Sequence, residues 1–262
     1  MRKSELFLCS LFLACSSVGA FADAIDVTYG APGQENASST VVSNANVLGV
    51  DTFESQPTGS TGFTTDFGTG GLITGTYAGD PVITGVNQFG SAGGVGNQID
   101  ALHGTEGYTL SLATAGIPGV NYFGFWLSAL DSGNELAFYR SGVEVGTYDP
   151  AQLIAALGTC SGSNSYCGNP NANFLGQNAG QPYAFVNFVD ADGYFDEVAF
   201  TEAPGASGNY ESDNHTVAYC SNASSCITGN SLNVPEPLTL SLFGAGLLGL
   251  VAMRRRKKVH FA

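Results

Sequence analysis

Along most of the chain apolar residues recur at every second position, interrupted by turn-forming residues about every 8 to 12 positions, as in the strands of a two-layered β-protein. Tyr108, Leu110 and Leu112 alternate with Thr109 and Ser111; Phe123, Phe125 and Leu127 alternate with Tyr122, Gly124, Trp126 and Ser128. Residues 135–139 and 143–148 flank Arg140-Ser141-Gly142, a hairpin signal that directs Leu136, Phe138, Val143 and Val145 to the core. Further strands are expected at 183–189 and 194–201, joined by Asp190-Ala191-Asp192-Gly193, at 216–219, and earlier at 25–29, 47–53, 72–77 and 82–85. One helix follows Asp149 as N-cap, with Pro150 first, Leu153, Ile154 and Leu157 inward and Gly158 as terminator. Gly/Ser/Asn-rich stretches at 54–71, 88–98 and 158–173 read as loops. The pattern predicts an all-β fold: a single jelly-roll-like β-sandwich over residues 23–226 with one short helix.

The two ends follow neither period. Residues 1–22 begin with Arg2 and Lys3, continue as an apolar run and close on Ala20-Phe21-Ala22, which predicts a secretory signal peptide cut after Ala22 by signal peptidase. A lipoprotein box ending at Cys15 is the rival, but Phe12 fits poorly where Leu is expected. At the other end a linker over 227–233 leads to Val234-Pro235-Glu236-Pro237, an apolar stretch over 238–253 and a basic tail over 254–258. As a helix the apolar stretch spans roughly 24 Å, short of the roughly 30 Å hydrocarbon core, so flanking cations must snorkel or the bilayer must thin. The basic tail predicts a cytoplasmic C-terminus and an exported domain.

This tripartite tail resembles the PEP-CTERM sorting signal of bacterial surface proteins handled by exosortases, membrane-embedded cysteine transpeptidase-like enzymes. The resemblance implies that Pro235, Glu236 and Pro237 are recognised by an exosortase, that the helix is removed, and that the ectodomain passes to the envelope or extracellular matrix. The prolines keep the segment extended, within reach of a processing enzyme. The same tail occurs on proteins catalogued as ice-binding, so that label attaches to the tail without describing an activity. Over most of its length the ectodomain is also similar to a family of exosortase-dependent surface proteins, through segments such as Asn121-Tyr122-Phe123-Gly124-Phe125-Trp126 and Glu211-Ser212-Asp213-Asn214-His215-Thr216. None of these segments is a known active site.

Charge narrows the partners. The chain has a formal net charge of −14, yet between residues 23 and 233 Arg140 is the single Lys or Arg, against 20 of the 22 acids, all but Glu5 and Glu236. Such a surface repels nucleic acid and anionic lipid. After loss of Cys9 and Cys15, Cys160, Cys167, Cys220 and Cys226 remain, an even number with three possible pairings. Their spacing favours Cys160 with Cys167 and Cys220 with Cys226; a zinc tetrathiolate would need tighter knuckles.

The raw material for catalysis is thin. The mature domain offers His103 and His215 and no Lys, and both histidines read as ordinary surface or turn residues, so no enzyme is expected. No cofactor is expected either, although calcium has weak candidate ligands in Asp190, Asp192 and Asp196 beside Glu197, and again in Asp131-Ser132-Gly133-Asn134. Solvated hairpin turns explain both clusters without metal. Tyr122 and Trp126, with Gly124 between them, offer a flat platform for sugar, or else lie in the core. Thr74 and Thr76 alone do not make the regular threonine array that ice binding needs. The sequence reading is therefore a surface or matrix protein acting by display or adhesion, with extracellular polysaccharide as a possible partner. A calcium-assisted carbohydrate-binding module is the alternative, and a secreted hydrolase the third.

Overall fold

A computed structural model describes residues 25–102, 107–130, 132–148, 150–203, 208–226 and 230–231. The signal peptide, His103, Asp131, Asp149, the sorting motif, the apolar stretch and the basic tail lie outside the described residues. Among those described, no helix is long and apolar enough to cross a membrane.

The strands are β1 (Ile25–Tyr29), β2 (Val47–Asp51), β3 (Phe63–Thr65), β4 (Ile73–Gly79), β5 (Pro81–Gly85), β6 (Asn97–Ala101) and β7 (Tyr108–Thr114), then β8 (Tyr122–Leu127), β9 (Asn134–Arg140), β10 (Val143–Tyr148), β11 (Ala184–Asp190), β12 (Glu197–Glu202), β13 (Tyr210–Tyr219) and β14 (Asn230–Ser231). They form two antiparallel sheets, β14-β1-β11-β8-β13-β6-β5 and β10-β9-β12-β7-β4-β3, with β2 paired to the second half of β13. Within them the consecutive strands β6 to β13 interleave as 6-13-8-11 and 7-12-9-10, the double Greek key of a jelly roll. Inward side chains of both sheets share one core, in which Phe125 stacks on Phe188 and Phe123 meets Phe138 edge-on.

The two sheets differ in what covers their outer faces. In β4, β7 and β9 buried and more accessible positions alternate, because one face of that sheet meets solvent. In β8 and β11 every position is buried. Their outer face is capped by helix α1 (Ser39–Asn44) with the 3₁₀ turn at Ala223–Cys226, which enclose Tyr122, Val189 and Ala218. Loops that include residues 87–94 and 169–183 close over Trp126 and Phe185. Three donors, Asn169 Nδ2, Asn178 Nδ2 and Tyr183 Oη, converge on the Gln88 carbonyl at 2.7–3.0 Å and tie these loops together. We call the two layers the covered sheet and the open sheet.

Several expectations need correction. Val143 is 60% exposed, because it pairs with Arg140 at the tip of the β9–β10 hairpin; a register shift after Glu144 sets Gly146 opposite Phe138 and leaves Val145 as the buried residue. Strands β3 and β6 run through stretches expected to be loop, and α1 is an additional helix, capped by the Ser38 hydroxyl accepting from the Val41 amide. The linker over 227–233 contains β14, whose residues Asn230 and Ser231 pair with Tyr29 and Thr28. Helix α2 (Pro150–Leu157) lies where expected, with Leu153 and Leu157 buried.

Candidate functional surface

The covered sheet removes the proposed sugar platform. Tyr122 and Trp126 are both fully buried, Tyr122 donating its hydroxyl to Asn187 Oδ1 at 2.7 Å and Trp126 lying against Tyr183. The space over Gly124 is already filled, since a Cβ there would sit 2.5 Å from the Tyr122 hydroxyl and 2.8 Å from Phe185.

His215 is likewise no surface residue. Its Nδ1 lies 2.9 Å from the Tyr77 hydroxyl and its Nε2 2.9 Å from Ser212 Oγ, which in turn lies 3.2 Å from the Tyr108 hydroxyl. Phe200 stacks on the ring at 5.1 Å, and burial lowers its pKa to about 3. This chain of four side chains joins β13 of the covered sheet to β4 and β7 of the open one. A histidine beside a serine has the first contact of a nucleophilic pair, but neither group reaches solvent, and a tyrosine stands where an orienting carboxylate would be.

The aspartates Asp190, Asp192 and Asp196 do not assemble into a metal site, and among the described residues no group of three His, Cys, Asp or Glu can hold an ion. Asp190 is buried and pairs with Arg140 at 2.6 Å, while its other oxygen accepts from the Asp192 amide. Both oxygens of Asp196 accept from the Ser141 amide at 2.9–3.0 Å, pinning the tip of the β9–β10 hairpin. These carboxylates serve turns. The cysteines pair as their spacing favours, Cys160 with Cys167 and Cys220 with Cys226, with Cα separations of 5.4 and 6.4 Å.

The outer face of the open sheet remains. Strand register sets Thr64, Thr76, Ser111, Glu197, Tyr139 and Glu144 side by side in one row across the strands. The next row is small: Ala78, Thr109, Ala199, Ala137 and Thr147. Beyond it Thr201 faces Glu135. The small row is thus the floor of a trough running across the strands, and it opens at the β9–β10 end into a cleft of about 520 Å³ lined by Glu135, Tyr139, Glu144, Thr147 and Thr201 among others. Thr74 and Thr76 belong to this face, where glutamates, a tyrosine and alanines interrupt any threonine array. Tyr139 and Glu144 carried no functional signal in the sequence beyond being outward positions of their strands, and Glu197 was read only as a neighbour of the aspartate cluster. Their adjacency arises from the pairing of β12 with β9, which are distant in the chain.

Comparison with known proteins bears on the chain's destination. The model of the PEP-CTERM protein-sorting motif matches residues 233–257. The chain is therefore a sandwich-bearing protein with a C-terminal sorting tail. It carries the PEP-CTERM sorting signal, and the motif implies export, anchoring at the surface or envelope, and an exosortase as processing enzyme. No curated protein matches the chain. Among solved structures, the K2 cleaved adhesin domain of Lys-gingipain aligns at 16% identity and a TM-score of 0.36, over 66% of this chain and 98% of that one, a likeness that carries no argument here.

Proposed function

We propose that the protein crosses the inner membrane, is held there by the single apolar segment 238–253 with its sandwich outside the cytoplasm, and is passed by an exosortase to the envelope or extracellular matrix. There it acts by display or adhesion rather than catalysis, without a cofactor. The observation that carries this reading is the sorting motif, which begins at residue 233, immediately after β14 closes on β1. Two local disulfides suit an oxidising compartment outside the cytoplasm. Fractionation of cells with and without the exosortase tests it. The sandwich is expected in the envelope or medium of the former and in the inner membrane of the latter; an identical distribution in both would refute the assignment.

A further inference from the structure

The open sheet carries a surface that sorting alone does not require. Tyr139 is only partly buried, and its cross-strand neighbours on the two sides are Glu144 and Glu197, so two carboxylates flank one aromatic ring at the roughly 5 Å spacing of directly opposed residues. Glu135 stands four residues back along the same face, across a floor formed by Ala137 and Ala199. The one Lys or Arg of residues 23–233, Arg140, is engaged by Asp190 of the covered sheet, so the field of the trough is acidic.

We infer that this trough binds a linear polysaccharide bearing free amines. An ammonium group beside Tyr139 gains both a cation–π contact and ion pairs with Glu144 and Glu197. The hydroxyls of Thr147 and Thr201 supply partners for sugar hydroxyls, and the small floor admits a flat ring close to the sheet. The trough runs across the strands of the sheet face; β10 at its end is the edge strand, and an extended peptide that added to that edge would run along β10 rather than along the trough. The cleft at the β9–β10 end, about 520 Å³, is of the size that holds a small ligand or a unit of a longer one. The inference deepens the adhesion reading and rests on it for where the ligand is met.

The test is retention of the full-length protein, in detergent micelles, on immobilised β-1,4-glucosamine hexamer and on its N-acetylated form. Retention is expected on the amine form and not on the acetylated one, and it should weaken at high salt. The double variant Glu144→Gln/Glu197→Gln is expected to lose about tenfold in affinity, the product of two modest ion pairs. A charge-matched control away from the trough, Asp66→Asn/Asp80→Asn, should stay within about twofold, and thermal melts of both confirm that they fold. Equal retention on the acetylated form, equal loss in the control, or no retention at all would overturn the inference. Because the assay uses purified protein, its failure is separate from any failure of the sorting assignment, which fractionation alone reads.

Discussion

His215 Nε2 lies 2.9 Å from Ser212 Oγ, although the two residues are three apart on one strand and regular alternation would send them to opposite faces. Asn214 reconciles them. It takes a left-handed φ of 50°, and the pairing of β13 with β8 shifts register between Asp213 and Thr216, so one extra residue turns His215 back into the core.

Ser212→Ala should therefore strip a hydrogen bond from both the His215 ring and the Tyr108 hydroxyl. A cost of about 1–3 kcal/mol is expected in urea unfolding. Asn214→Val, a β-branched residue forced into the left-handed region, should cost about 1–2 kcal/mol or more, whereas Asn214→Gly should be much milder. Equal effects of Val and Gly would contradict the bulge as the device that orients His215.

Stability should also fall toward alkaline pH. Burial, with nearby Glu54 and Asp51 adding to it and the amides of Ala92 and Asn214 opposing it, pushes Asp213 up to about 8. Burial likewise pushes Asp100 up to about 6 against hydrogen bonds from Gln98 and Thr84. A carboxyl whose folded pKa is raised keeps its proton on folding, so its contribution is full below the unfolded value near 4 and is lost as pH rises through the folded one. His215 acts in the opposite sense. Its pKa is lowered by folding, so its contribution is present above the unfolded value and lost as pH falls from about 6.5 toward 3. Between pH 6.5 and 8 Asp213 dominates, and the wild type should lose about 2 kcal/mol. Asp213→Asn should flatten that slope in melts across the same range, and an unchanged slope would exclude Asp213 as its source.

Gly124→Ala should destabilise by about 1–3 kcal/mol, because the new methyl group meets the Tyr122 hydroxyl and Phe185 within a closed layer. Chemical denaturation reads this directly. A neutral substitution would mean that the face over Tyr122 and Trp126 is open.

Replacing Cys220 and Cys226 together by Ser should cost about 2 kcal/mol, the loop-closure value for so short a ring. The 3₁₀ turn and α1, which pack over Tyr122 beside this disulfide, should gain hydrogen exchange first. Uniform exchange across the sandwich would contradict a local role.

What the sequence made legible were features with a local cause. Leu136 and Phe138 alternate, Pro150 opens a helix, and the cysteines six and seven residues apart close their own loops. His215 read as a surface or turn residue, but it lies in a buried polar segment, Glu211-Ser212-Asp213-Asn214-His215, whose partners Tyr77, Ala92 and Tyr108 are all more than a hundred residues away. Gln98, the last residue of a stretch expected to be loop, is buried in the same way, donating to Asp100 Oδ1 and accepting from the Ser91 hydroxyl. The trough around Tyr139 was hidden because cross-strand neighbours belong to the register, and register between β9 and β12 is not written in either strand alone.

The intact mass of the protein recovered from the envelope or culture medium tests the account at its centre. It should correspond to a chain that begins at Asp23, has lost residues 238–262 and carries both disulfides oxidised. A species extending from Met1 to Ala262 with free thiols would contradict it.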